Sequence, residues 1–306
     1  MTNSADDYSE AQVVLRASAG SQARRQLPLK AVRIELLDQE SRPVLVNGPA
    51  KGPVVASGFL MRESAGACFL YTCWHVVTGI DPQHPALPAF SQRRAKLRFR
   101  MQQARQGTAE SDANEDFCTV TLPLYDDAAI PWIPLWEQDS ESRQNENLLN
   151  VGLSLPYWRD IVRLQIESAI DPSVQQLLTP VDVWPELVDP GENLMIVGYP
   201  YGYSALKKSP SAIAITRSVA STRLESERPM DILIDGSAAP GMSGGPVFYI
   251  HENRIYLYGV YTGVVYPDGP SQNPERTTAL GTVCSLGTAL PFAKPIASKQ
   301  EVKAVS

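Results

Sequence analysis

The chain has 306 residues, of which 43% are hydrophobic and 20% are charged, and its formal net charge is −6. This balance is typical of a globular protein with a sizeable core, and the acidic charge without a long basic run argues against a nucleic-acid partner. No apolar run approaches the roughly 18 residues of a membrane-spanning helix, so no membrane association is predicted.

The N-terminal segment 1–27 is polar, with a short helical pattern at about 8–17, and predicts a mobile or docking arm. It lacks the charged-then-apolar pattern of a secretory signal. The four cysteines, Cys68, Cys73, Cys118 and Cys284, fit neither a metal-site spacing nor a disulfide framework. We therefore expect free thiols, no bound metal and a cytoplasmic location.

From Leu29 onward, short apolar or alternating segments follow one another, separated by turns that use many of the 20 glycines and 25 prolines. This texture predicts an all-β protein built as an antiparallel barrel or two barrels. The predicted strands lie within 31–38, 53–63, 68–77, 96–102, 117–125, 160–167, 193–200, 211–222, 231–237, 245–250, 254–265 and 281–286.

Four further segments interrupt or end this pattern. The polar stretches 102–115 and 137–147 lack apolar periodicity and predict exposed loops. A short helix is predicted at 173–179, and residues 294–306 are expected to form a frayed tail.

The strongest motif is Pro-Gly-Met-Ser-Gly-Gly-Pro at 240–246. A tight glycine-rich turn exposes the Ser243 hydroxyl and lets the N–H groups of Gly241 and Ser243 point into one small cavity. A nucleophile beside two convergent donors suits acyl transfer, because the tetrahedral intermediate carries an oxyanion. A serine hydroxyl is a weak nucleophile at neutral pH, so the motif also requires a base.

Three histidines could supply that base. His84 lies in a proline-rich loop and His251 lies in a turn between two predicted strands. His75 ends a strongly apolar run, Phe-Leu-Tyr-Thr-Cys-Trp-His. It is therefore the preferred candidate for the imidazole general base.

Six segments together resemble the trypsin-like serine peptidases, and among these the bacterial HtrA/Deg-type protease domains. The resemblance implies two six-stranded antiparallel β-barrels with the active site in the cleft between them. It places a protease domain at 28–293, with a first barrel at about 28–165 and a second at about 185–293. The matching segments are SGF at 57–59, TCWHVVTG at 72–79, DIVRLQI at 160–166, VGYPYG at 197–202, DGSAAPGMSGGPVF at 235–248 and YGVYTG at 258–263.

The resemblance also implies roles for residues. Ser243 would be the nucleophile and His75 the general base, in the His…Asp…Ser chain order of the family. Asp160, which directly precedes a predicted strand, is the preferred orienting acid, while Asp171 and Asp182 remain alternatives. Gly241 and Ser243, helped by Met242, would form the oxyanion hole.

In the same family, the residue six before the nucleophile lies at the base of the substrate pocket. That residue is Ser237 here, and Val260, Tyr261, Thr262 and Gly263 are expected in the pocket wall. No acidic residue occupies the base of this pocket, so a neutral pocket for small or medium apolar side chains is predicted.

The predicted function is a serine endopeptidase that acts on protein or peptide substrates without a cofactor. About 40 residues follow Gly263, and the second barrel needs them, so no trailing PDZ module is expected. Regulation would then come from the N-terminal arm, the loops or a protein partner.

Two other functions remain open. A catalytically silent trypsin-fold binding or regulatory module would use the cleft to hold a partner. An esterase of the α/β-hydrolase type is formally matched by Gly-x-Ser-x-Gly, but the histidine precedes the serine here and the segment after Ser243 looks like a strand.

Overall fold

The chain forms 19 strands and two short α-helices in the part described by the computed structural model. That part comprises residues 21–45, 52–63, 65–80, 93–102, 117–126, 133–140, 142–143, 153, 155–156, 159–166, 174, 176–178, 182–205, 211–222, 231–265, 279–287 and 292–294. The helices are α1 (Ser21–Gln26) and α2 (Trp74–Thr78). The strands are β1 (Ala31–Leu37), β2 (Val55–Arg62), β3 (Cys68–Thr72), β4 (Lys96–Gln102), β5 (Phe117–Pro123), β6 (Tyr125–Asp126), β7 (Ile133–Pro134), β8 (Gln138–Asp139), β9 (Ser142–Arg143), β10 (Leu155–Pro156), β11 (Val162–Ile166), β12 (Leu177–Leu178), β13 (Asn193–Gly198), β14 (Ile213–Thr222), β15 (Asp231–Ile234), β16 (Pro246–His251), β17 (Arg254–Val265), β18 (Leu280–Ser285) and β19 (Phe292–Ala293).

The first half of the chain forms a curled sheet in the order β11-β3-β2-β1-β4-β5, with β12 added in parallel to β2. The inward residues of β1, such as Val32, Ile34 and Leu36, are fully buried, whereas Arg33 and Glu35 between them are only partly buried. This alternation is what one buried face requires. Every residue of β3 is buried, which explains why its sequence is a continuous apolar run.

The second half forms a closed barrel in the order β13-β14-β15-β18-β17-β16. Its interior holds a separate apolar cluster that includes Leu194, Ile196, Ile232 and Val283. Outward residues of the barrel, among them Phe248, pack into the core of the first half, so the two halves share one buried boundary. The predicted all-β fold with two barrel-like units is therefore confirmed, with the second barrel closed and the first a curled sheet.

All twelve predicted strand segments contain a strand, but the apolar run at 68–77 divides. Strand β3 ends at Thr72, and helix α2 begins at Trp74. Within the described residues, neither helix is long and apolar enough to cross a membrane.

The prediction of a helix at 173–179 is wrong in its described part. Leu177 and Leu178 form β12 and pair with Leu60 and Met61, because both leucines are buried beside the apolar strand β2. Residues 173, 175 and 179 lie outside the described part.

The exposed loop predicted at 137–147 is wrong at its first residues. Gln138 and Asp139 are 0% and 2% exposed and pair as β8 with β19. Strand β19 therefore returns to the first half of the molecule, although the sequence assigned residues up to 293 to the second barrel. Most of the other predicted polar loop, 102–115, lies outside the described residues, as does the tail beyond Lys294.

The mobile arm predicted for 1–27 also ends earlier than expected. Residues 21–26 form α1, and Leu27 is 0% exposed within the core. The helical pattern at 8–17 lies outside the described residues.

Candidate active site

A histidine and an aspartate meet at the edge of the first sheet. Val162, at the start of β11, pairs with Thr72, at the end of β3, so the residues just outside these two ends become neighbours. Asp160 Oδ2 lies 2.5 Å from His75 Nδ1, and Asp160 Oδ1 accepts the His75 backbone N–H at 3.0 Å. A carboxylate only accepts, so Nδ1 is the donor and the ring's Nε2 lies on the opposite side.

Arg94 holds the backbone of helix α2, which carries His75, through the carbonyl oxygens of the helix. The Arg94 guanidinium donates to the carbonyl oxygens of His75, at 2.7 Å, and of Val76. A cation is favourable at this end of a helix because the last carbonyls have no partner within the helix. Burial lowers the pKa of Arg94 to about 10, which leaves it charged at neutral pH.

Asp160 is anchored through the residue before it. Arg159 donates its backbone N–H to Asp139 Oδ2 at 2.9 Å and its Nε to Asp139 Oδ1 at 2.5 Å. Both side chains are almost fully buried, at 1% and 0% exposure. Buried charges persist only when paired and hydrogen-bonded, so this ion pair holds the start of β11 in place. The sequence pointed to neither residue.

The serine lies in a turn built from backbone hydrogen bonds. Met242 donates to Ala239 O at 3.1 Å, and Gly245 donates to Met242 O at 2.9 Å. Gly244 has a φ of +87°, and a Cβ at this position would lie 2.2 Å from Ser57 O. Only glycine fits this approach of the serine turn to the first half of the molecule.

Shared contacts bring the serine turn and the histidine segment together. Ser57 donates its N–H to Ser243 O at 2.9 Å, and the Thr72 hydroxyl donates to Ser57 O at 2.9 Å. The carbonyl of Tyr261 accepts both the Gly244 N–H at 2.8 Å and the Cys73 thiol at 3.4 Å. These contacts place the Ser243 backbone beside the end of β3, the strand that leads into His75.

The peptide unit between Pro240 and Gly241 has a defined orientation. The Pro240 carbonyl accepts the N–H of Tyr201 at 2.6 Å, so the Gly241 N–H of the same trans peptide points the opposite way. In the described part of the chain, the N–H groups of Gly241 and Ser243 have no protein acceptor. They are therefore available to a bound oxyanion.

The prediction that Met242 contributes to the oxyanion hole is wrong. Its N–H is taken by Ala239 O, and its side chain is 0% exposed in the core of the second barrel. This buried packing also explains why an apolar residue is accommodated inside the turn.

The predicted pocket residues divide into two groups. Ser237, Thr262 and Gly263 are partly buried, so part of each remains exposed to solvent. Val260 is 0% exposed and packs in the core, so its assignment to the pocket wall is wrong. Tyr261 is 1% exposed, and its hydroxyl accepts the Ala238 N–H at 3.0 Å.

A cation lies beside the residue that the sequence predicted at the base of the substrate pocket. Arg217 of β14 donates to Ser237 O at 3.2 Å. The sequence contains a pattern that could have revealed this charge. Arg217 interrupts an alternating series with Ile215 and Val219 on the inward face of a strand.

The alternative acids differ in position. Asp182 is half exposed and pairs with Arg254 at 3.2 Å on the second barrel. Asp171 lies outside the described residues. Asp160 is the aspartate that the structure places against His75.

Cys73, His75 and Asp160 offer three potential metal ligands within 4.8 Å of one another. A metal ion would have to displace the hydrogen bond between His75 and Asp160 and the contact between Cys73 and Tyr261 O. Hydrogen bonding alone accounts for their closeness.

A curled β-sheet and a closed β-barrel that place a histidine, an aspartate and a serine turn at their junction define a protein of the chymotrypsin-like architecture. The model of the trypsin-like peptidase domain family matches residues 56–260, and the chain belongs to this family. A search of curated proteins found no match.

Proposed function

We propose that the protein is a serine endopeptidase with His75, Asp160 and Ser243 as its catalytic triad. The observation that carries this proposal is the two-point contact of Asp160 with the ring and the backbone of His75. This contact fixes the tautomer in which Nε2 can accept a proton from a serine hydroxyl. Membership of the trypsin-like peptidase family supports protein or peptide substrates.

In the proposed reaction, Ser243 Oγ attacks the scissile carbonyl while His75 Nε2 takes the hydroxyl proton. The N–H groups of Gly241 and Ser243 stabilise the oxyanion. His75 then gives its proton to the leaving amine, and an acyl-enzyme forms that water hydrolyses by the same steps in reverse. Asp160 stabilises the imidazolium and holds its orientation.

Three finer predictions accompany this proposal. None of the four cysteines, all within the described residues, forms a disulfide, which supports a cytoplasmic protein because disulfides are rare there. Within the family, the likeness to HtrA/Deg-type domains and a role for a regulatory partner stay predictions.

Labelling with a fluorophosphonate probe tests the proposal. The wild type should become labelled at Ser243, and Ser243→Ala should not. His75→Gln should slow labelling by about 10³-fold or more, because the hydroxyl loses its base. Ser221→Ala, which removes an exposed hydroxyl of β14, is the matched control and should label normally. A folded wild type that never reacts at Ser243 would instead favour the silent binding module.

A further inference from the structure

We propose that Arg217 selects substrates with glutamate at the residue directly before the scissile bond. The proposal rests on the proposed peptidase function and names the substrate class of the same site. It starts from the position of a charged residue inside the second barrel.

Arg217 occupies an inward-facing position of β14. It pairs across the sheet with Leu194, which is 0% exposed in the barrel core. Cross-strand partners point to the same side of a sheet, so the Arg217 side chain is directed inward with Ile215 and Val219. An arginine rarely occupies such a face without a specific partner.

The guanidinium of Arg217 lies against the segment Gly236–Ser237. Its Nη2 donates to Ser237 O at 3.2 Å, and a Cβ on Gly236 would lie 3.5 Å from its Nε. Its Nη1 donates to the carbonyl oxygen of the preceding residue, Thr216, at 3.0 Å. The Nε atom is buried and has no acceptor among the described residues.

The charge of Arg217 is not neutralised within the described part of the chain. It forms no ion pair there, and the carboxylate of nearby Asp235 accepts the Ser218 N–H at 2.7 Å instead. A partly buried cation that donates only to carbonyl oxygens gains from a carboxylate brought beside it. Among the described residues, the place for an anion beside this guanidinium is unfilled.

The segment that Arg217 contacts is connected to the serine turn. The Ala238 N–H, next to Ser237, donates to the hydroxyl of Tyr261 at 3.0 Å, and both residues are buried. Tyr261 is also bonded through its backbone to Gly244 and Gly245, which follow Ser243. A Cβ on Gly263, which follows Tyr261 in β17, would meet nothing within 4 Å. The segment beside Arg217 is therefore tied to the turn that carries the nucleophile, where the proposed site would receive the side chain before the scissile bond.

The arrangement favours glutamate over the alternatives. Its carboxylate attracts the guanidinium, whereas a lysine or arginine at the same place is repelled. The main chain of Gly236 and Ser237 contacts part of the guanidinium. The longer side chain of glutamate therefore reaches the remaining donors better than that of aspartate. Neutral glutamine has the same size and isolates the effect of charge.

Fluorogenic peptides that differ only at the residue before the cleaved amide test this inference. We expect kcat/KM for glutamate to exceed that for glutamine by roughly 10- to 100-fold, the range for one hydrogen bond to a charged group. Lysine should be the poorest residue in the series. Best cleavage after alanine or leucine would overturn the inference and restore the apolar pocket predicted from Ser237.

Variants connect the preference to Arg217. Arg217→Gln should bring the ratio of glutamate to glutamine close to one, and Arg217→Lys should retain part of it. Arg254→Gln removes an exposed arginine that pairs with Asp182 and should leave the ratio unchanged. A ratio that survives Arg217→Gln in a folded protein, as checked by its melting temperature, would contradict the proposal.

Equilibrium binding to Ser243→Ala separates this inference from the proposed activity. Peptides with glutamate in the series should bind more tightly than those with glutamine, and Arg217→Gln in the same background should remove the difference. If glutamate is preferred but the wild type cleaves no peptide, the activity is wrong and the recognition stands. If peptides are cleaved without a glutamate preference in either assay, the recognition is wrong and the activity stands.

Discussion

The two halves of the candidate site are held in place by different means. In the histidine half, charged side chains do the holding: Asp160 binds His75, and the buried pair of Arg159 and Asp139 fixes the start of β11. In the serine half, backbone hydrogen bonds and a close glycine contact at Gly244 set the geometry. The first half should therefore be sensitive to loss of charge, and the second to an added methyl group.

The largest expected effect comes from Gly244→Ala. The new methyl group would lie 2.2 Å from Ser57 O at a φ of +87°, so the turn must move away from the first half. Backbone strain and overpacking together should cost about 5 kcal/mol of unfolding free energy, measured by denaturant titration. Gly66→Ala is the control, because Gly66 has the same φ of +87° and nothing within 4 Å of the added Cβ.

Gly66→Ala should cost only about 1 to 2 kcal/mol, the cost of a left-handed backbone for alanine. Equal losses in the two variants would mean that close contact does not define the serine half.

The histidine half is tested by Asp139→Ala. This change leaves the buried Arg159 guanidinium without its carboxylate, and breaking a buried pair costs about 3–5 kcal/mol. Asp182→Ala breaks the exposed pair with Arg254 and should cost less than about 1 kcal/mol. Fluorophosphonate labelling should also slow in Asp139→Ala, because Asp160 loses its anchor. A stable variant that labels at the wild-type rate would refute this account of the histidine half.

A smaller, pH-dependent effect on the unfolding free energy is expected from Lys30, which lies outside both halves of the candidate site. Burial lowers the pKa of Lys30 from 10.5 to about 8. Between these values the unfolded chain holds one more proton than the folded chain, so stability rises with pH across this window. The penalty for the buried charge, present in full below about pH 8, corresponds to about 3 kcal/mol and disappears as the pH approaches 10.5.

The comparison of wild type with Lys30→Met isolates this effect from the other groups that titrate in alkali. The unfolding free energy of the variant, minus that of the wild type, should fall by about 3 kcal/mol between about pH 8 and pH 10.5. Labelling of Ser243 at neutral pH should not change. A difference that is constant with pH would argue against the lowered pKa.

Much of the fold could be predicted from the sequence, because short apolar runs between turns leave little choice besides strands. Ser243 and His75 could also be selected as candidates, since a glycine-rich turn and a histidine after an apolar run are local patterns. The structure then placed Asp160 against His75, and not Asp182.

The residues that support the site could not be predicted in the same way. Asp139 lies in a polar stretch whose local pattern resembles a loop, and it is buried only because β19 covers it from more than 150 residues away. Arg217 belongs to no motif. Its proposed role depends on its contact with Ser237, which follows β15, the strand that pairs with β14. Local patterns predict strands and turns, whereas the environment of a buried charge depends on distant parts of the chain.

The pairing of β8 with β19 has a consequence for the order of events during synthesis. The ring of Phe292 lies 4.5 Å from the Arg159 guanidinium carbon, and β19 supplies the partner of Gln138 and Asp139. A ribosome must therefore translate through residue 293 before the support beneath Asp160 can be completed. Domains generally fold as units during synthesis. The histidine half is thus completed only after residue 293 has been made, later in synthesis than the serine turn at 240–246.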